Sequence, residues 1–212
     1  MTLSWIRAAI ASRPFAVAAI LIGNLVPVLG VVALGWDAAQ ILILYWIENV
    51  VLGVLTVPRL LAAGRKKPGS AIFLTGFFIV HYGFFCIGHL VFVILLIGSF
   101  MGFAEGPVRQ LTDVLGSPGF LWAVAAVAAI NLVVQIRDWW IPGKWRDAEP
   151  QAEMFKPYGR IIVLHMTILI GAWAVLNLGA PAGAILVLCL LKAALELGLL
   201  GFSAFNSGKT PA

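Results

Sequence analysis

The sequence predicts an all-α polytopic transmembrane helix bundle of six spans with both termini cytoplasmic, and three observations predict it. The first is composition: of 212 residues, 62% are hydrophobic and 11% charged, where a soluble domain carries about 25% charged residues. The second is the repeated occurrence of apolar runs near twenty residues, the length a helix needs to cross a bilayer. The third is the placement of basic residues. With loops assigned to alternate sides, twelve of the fourteen Lys and Arg fall on one side, Arg109 alone on the other, and Lys192 within a span. Such asymmetry marks the cytoplasmic face. The net charge of +5 therefore sits in short loops between spans, and no nucleic-acid partner is expected.

Taken in order, residues 1–13 form an amphipathic lead-in with Trp5, Arg7 and Arg13, suited to a membrane surface. The run that follows is span-length and lacks a cleavage site, so it is read as a retained first helix. Span 1 covers about 14–36; Pro14 suits a first turn, whereas Pro27 falls inside and should kink the helix. Span 2 covers 37–59 and carries Gln40, Glu48 and Asn49. A loop with Arg65, Lys66 and Lys67 leads to span 3, 71–100, which holds His81 and His89 among Phe, Ile and Leu. The connector EGPVRQLTDVLGSPG precedes span 4, 119–136. The long polar segment from Arg137 to Arg160, rich in Trp and mixed charge, reads as a loop before span 5, 160–178. The turn GAPAG, span 6 at 184–205 and a short cytoplasmic tail at 206–212 complete the chain. Cys86 and Cys189 lie inside apolar runs, where cysteine acts as a small packing residue.

Ionisable residues inside spans carry the functional information. Each costs roughly 2.5–3.5 kcal/mol at mid-helix on insertion scales, so they usually face the bundle interior. Here they are Glu48, His81, His89, His165, Lys192 and Glu196, accompanied by Asn24, Asn49 and Asn131. Counting from the cytoplasmic ends at about 1.5 Å per residue puts Glu48, His81 and Glu196 near the midplane of a core about 30 Å thick. His165 is shallower. His89 lies nearer the outer boundary, where water is expected to satisfy it. Lys192 and Glu196 stand four apart on one helix face, in the order that favours a helical pair less.

No HExxH helix, P-loop or Gly-rich dinucleotide fingerprint is present. Phe85 and His89 match one fragment of the intramembrane CAAX-type proteases, but Glu48 is followed by Asn49 rather than a second glutamate, and that reading is declined. At YWIENVVLGV, VHYGFF, PYGRIIVLHMTILIG and LLKAALELG the chain resembles an uncharacterised family of bacterial integral membrane proteins, a domain of unknown function, from Tyr45 to Gly198. The resemblance implies a bacterial, membrane-embedded protein and supplies no activity, cofactor or ligand; the expected location is the bacterial cytoplasmic (inner) membrane.

Three functions compete. Glu48, His81, His165 and Glu196 would supply mixed N/O ligands to Zn, Fe or Mn, with Lys192 stabilising a developing oxyanion; a haem variant would use an imidazole of span 3 and His165 as axial ligands. Buried Glu, His and Lys also suit a proton-coupled small-solute transporter. Alternatively, the polar groups fix packing in a non-catalytic membrane partner, and the Gly- and Ala-rich faces of spans 3, 4 and 6 permit a homo-oligomer or a membrane-protein partner in the lipid bilayer. Convergence of the carboxylates and His81 without Lys192 between them favours metal. A Lys192 bridge favours structure or proton handling.

Overall fold

The computed structural model describes residues 14–101, 106–178 and 181–207, so the amphipathic lead-in and the last residues of the tail lie outside the described residues. Among these there are seven α-helices and no strand: α1 Pro14–Leu34, α2 Ala38–Ala63, α3 Pro68–Met101, α4 Pro107–Gly116, α5 Phe120–Gln135, α6 Pro150–Leu178 and α7 Pro181–Ser207. Four segments, built on α1, α2, α3 and α5, are long and apolar enough to cross a membrane. The chain is a helical membrane protein.

The first turn is built from local chemistry. Gly35 takes φ +68°, a left-handed conformation that glycine adopts without a Cβ penalty. Trp36 then folds back onto Gly30, where a methyl group would run into its indole ring, and Trp36 Nε1 donates to Pro118 O at 3.0 Å. Asp37 caps α2 by accepting from the Ala39 amide at 2.7 Å, while Gln40 accepts from the Asp37 amide. This reciprocal arrangement is a capping box. It places Gln40 at the helix start rather than among the mid-bilayer polar groups.

Helix α2 is the centre of the bundle. Five consecutive residues, Ile41 to Tyr45, are buried, which requires neighbours on every side. It packs against α3, α5, α6 and, more lightly, α7. Against it α3 lays a single stripe of Phe78, Tyr82, Cys86, His89 and Val93, all buried, at the three- and four-residue spacing of one helix face. Gly53 makes room for that stripe: a Cβ there would stand 2.5 Å from the Tyr82 ring. Tyr82 donates its hydroxyl proton to Asn49 O at 2.9 Å. The opposite face of α3 points outward with Phe73, Phe84 and Leu95 exposed, as befits a helix whose other face meets lipid.

Two segments differ from the sequence expectation. The connector after span 3 forms α4, with Pro107 in its first turn. The polar segment expected as a loop is mostly helical: a π-helical turn extends α5 over Ile136–Trp140, and α6 starts at Pro150, ten residues before Arg160. Proline at a helix start loses no intrahelical bond. The buried Glu153 carboxylate is held there by ion pairs to Arg59 and Lys156, and the Arg59 guanidinium lies 5.0 Å over the Trp139 ring. Arg160 therefore sits roughly 15 Å along α6 rather than at its mouth.

Candidate functional site

Four charged side chains from three helices meet in the bundle interior. Lys192 of α7 places Nζ 2.9 Å from Glu48 Oε2 of α2 and 3.0 Å from Glu196 Oε1, one turn along its own helix. Arg160 of α6 reaches the same two acids, with Nη2 2.9 Å from Glu196 Oε1 and 3.3 Å from Glu48 Oε1. Each base thus bridges both acids, and the four formal charges cancel. Taking ions out of water costs several kcal/mol each, and only close opposite charge with further hydrogen bonds offsets it. Those bonds come from α1 and α5. Asn24 Nδ2 donates to Glu196 Oε2 at 2.8 Å, and Arg160 Nη1 donates to Asn131 Oδ1 at 3.0 Å. Lys192 is also 4.8 Å from the Tyr45 ring centroid, close enough for a cation–π contact. Tyr45 donates in turn to Cys189 Sγ at 3.2 Å.

The cluster sits at one end of a cavity of about 660 Å³ between α1, α5, α6 and α7. Glu48, Glu196, Arg160, Asn24 and Asn131 line that end, and Ala16, Ala152 and Lys156 line the other. The cavity therefore runs toward the end of the bundle where α1 and α6 begin. Its walls are mainly aliphatic.

The histidines lie elsewhere. His81 is exposed on α3, its Nδ1 2.7 Å from the Tyr158 hydroxyl and its ring stacked on Phe77. His165 packs against His89 with ring centroids 4.5 Å apart, and Phe85 and Phe92 flank it. His89 is buried rather than satisfied at the outer boundary, and neither its Nε2 nor His165 Nδ1 has a hydrogen-bond partner.

The four residues expected to share a metal are thus not brought together. Glu48 and Glu196 converge; His81 and His165 do not join them, because their faces of α3 and α6 form a separate seam. Among the described residues no three His, Cys, Asp or Glu are grouped to hold a metal ion. Lys192, expected beside a metal, instead fills the space between the carboxylates. Sequence reasoning missed Arg160 because it was counted as a loop cation. The signal for it was Pro150 followed by a helical stretch in which Glu153 and Lys156 fall three apart.

Fold and site together define a membrane-embedded helix bundle with a charge-balanced polar core at the end of an apolar cavity. The chain belongs to a family of unknown function, DUF6498, matched over residues 7–207, in keeping with the resemblance noted in the sequence. No curated protein and no solved structure matches it.

Proposed function

We propose that the protein is a proton-linked membrane carrier whose cavity admits a small solute and whose Glu48–Lys192–Glu196–Arg160 cluster takes up and releases the proton. The observation that carries this reading is that both bases bridge both acids. Protonating either carboxylate leaves Lys192 and Arg160 competing for the other, so one proton changes the cohesion of α2, α6 and α7 together. Ionisable residues at bilayer depth characteristically serve proton and substrate pathways. Six crossings with cytoplasmic termini and a bacterial inner-membrane location belong to the same reading, supported by the basic-residue asymmetry and the family resemblance. A metal centre draws less support, because every carboxylate oxygen of the cluster already faces Lys192, Arg160 or Asn24.

The test is charge movement on a solid-supported membrane. Protein reconstituted in liposomes is expected to give a transient current on a pH jump, abolished in Glu48→Gln and Glu196→Gln. A wild-type protein with no current, or a current that both variants retain, would contradict the reading.

A further inference from the structure

The solute-contacting chemistry of this cavity can be read one step further, resting on the carrier reading above. We infer that the cavity takes an uncharged amphiphile: an apolar body with a head group that donates hydrogen bonds, such as a diol or a primary amide.

Volume and walls fix the body. A cavity of about 660 Å³ lies within the usual range of small-molecule sites, roughly 300–1,000 Å³. Ile20, Val127, Ile130 and Leu199 line it, so the favourable contribution along most of its length is burial of apolar surface.

Charge balance decides against an ionic head. Glu48 and Glu196 are matched by Lys192 and Arg160, with each acid in contact with both bases. An ammonium or a carboxylate brought to this end would add one unbalanced charge at a buried site, or would displace a native partner and leave it unpaired. Breaking a buried pair leaves an uncompensated charge in the interior, which a single hydrogen bond to the head group does not offset. A neutral head leaves the balance of the four charges intact.

Hydrogen-bond capacity then selects a donor over an acceptor. Asn131 is satisfied on both sides, accepting from Arg160 and donating to Val127 O. Asn24 is not. Its Nδ2 donates to Ile20 O at 2.9 Å and to Glu196 Oε2 at 2.8 Å. Both partners are acceptors, so the amide cannot be turned over, and the orientation that is ordinarily a matter of assignment is here fixed by chemistry. Its Oδ1 is left buried with no partner, on a residue only 6% exposed. Glu48 Oε1 has its one contact, to Arg160, at 3.3 Å, longer than a good charge-assisted bond. Asn24 and Glu48 both line this end of the cavity, and what it lacks is a donor for Asn24 Oδ1.

The experiment compares three probes of equal chain length, a decyl vicinal diol, decylammonium and decanoate, by equilibrium binding to the detergent-purified protein at neutral pH. Two variants accompany the wild type. Gly23 lines the cavity, and a Cβ there meets nothing within 4 Å, so Gly23→Leu starts its side chain in open space and takes up cavity volume while leaving every charged residue in place. Asn24→Leu removes the unpartnered acceptor. The diol is expected to bind at least about tenfold more tightly than either ion, a difference of about 1.4 kcal/mol, and to lose about tenfold in both variants. Should Asn24→Leu fail to fold, Gly23→Leu alone decides the location. An ion binding as tightly as the diol, or diol binding unmoved by Gly23→Leu, would overturn the inference. Gly23→Leu-sensitive diol binding together with an absent pH-jump current would leave the ligand class standing and remove the proton coupling.

Discussion

The charge cluster and the histidine seam lie on the same helix, α6, and answer the problem of polar groups in an apolar interior in opposite ways. Arg160 faces α2 and α7, where every charge has at least two partners. Five residues later His165 faces α3, where its Nδ1 and His89 Nε2 have none. The difference follows from charge. An unpaired ion in a low-dielectric interior is intolerable, whereas a neutral imidazole loses on the order of 1–3 kcal/mol for a missing hydrogen bond and recovers part through ring contacts. The cluster should therefore be the sensitive region and the seam the permissive one.

Substitutions can break or sharpen that contrast. Lys192→Met, which keeps the length and removes the charge, leaves two acids facing one base. A loss of about 3–5 kcal/mol is expected, seen as a large fall in Tm in detergent, with partial recovery when Glu48→Gln is added to restore the balance. His81→Phe should cost about 0.5–1.5 kcal/mol, the value of its one bond to Tyr158, read in the same melt. His89→Phe replaces a ring whose Nε2 has no hydrogen-bond partner with an apolar one of similar shape, and a change within about 0.5 kcal/mol, or a slight stabilisation, is expected. A Tm drop for His89→Phe as large as that for Lys192→Met would erase the contrast.

How much of this was legible in the sequence differs by element. Apolar runs announced α1, α2, α3 and α5, because a bilayer-length helix leaves a compositional trace that needs no partner to be read. Glu48, Lys192 and Glu196 were legible as a set for the same reason, since charge at that depth is rare. Arg160 was not. A residue at the edge of a polar segment reads as a loop cation unless the helix is known to begin earlier, and the first turn of α6 is held in part by Arg59, from a different helix, on Glu153. Depth counting placed His81 level with Glu48, but depth says nothing of rotation about the helix axis. His81 points away from α2, while His89, eight residues on, lies on the buried stripe. That choice depends on which face of α3 carries Phe78 and Tyr82, a tertiary fact.

The most direct test of the central claim, that charges from α2, α6 and α7 form one interhelical network, is a double-mutant cycle on Arg160 and Glu196, measured by unfolding of the purified protein. Arg160→Met leaves the cluster one negative charge in excess and Glu196→Gln one positive charge in excess; the double variant is balanced. The expected result is a double variant less destabilised than the sum of the singles by about 1–3 kcal/mol. Additive losses would mean that the two side chains do not meet, and the network would fall.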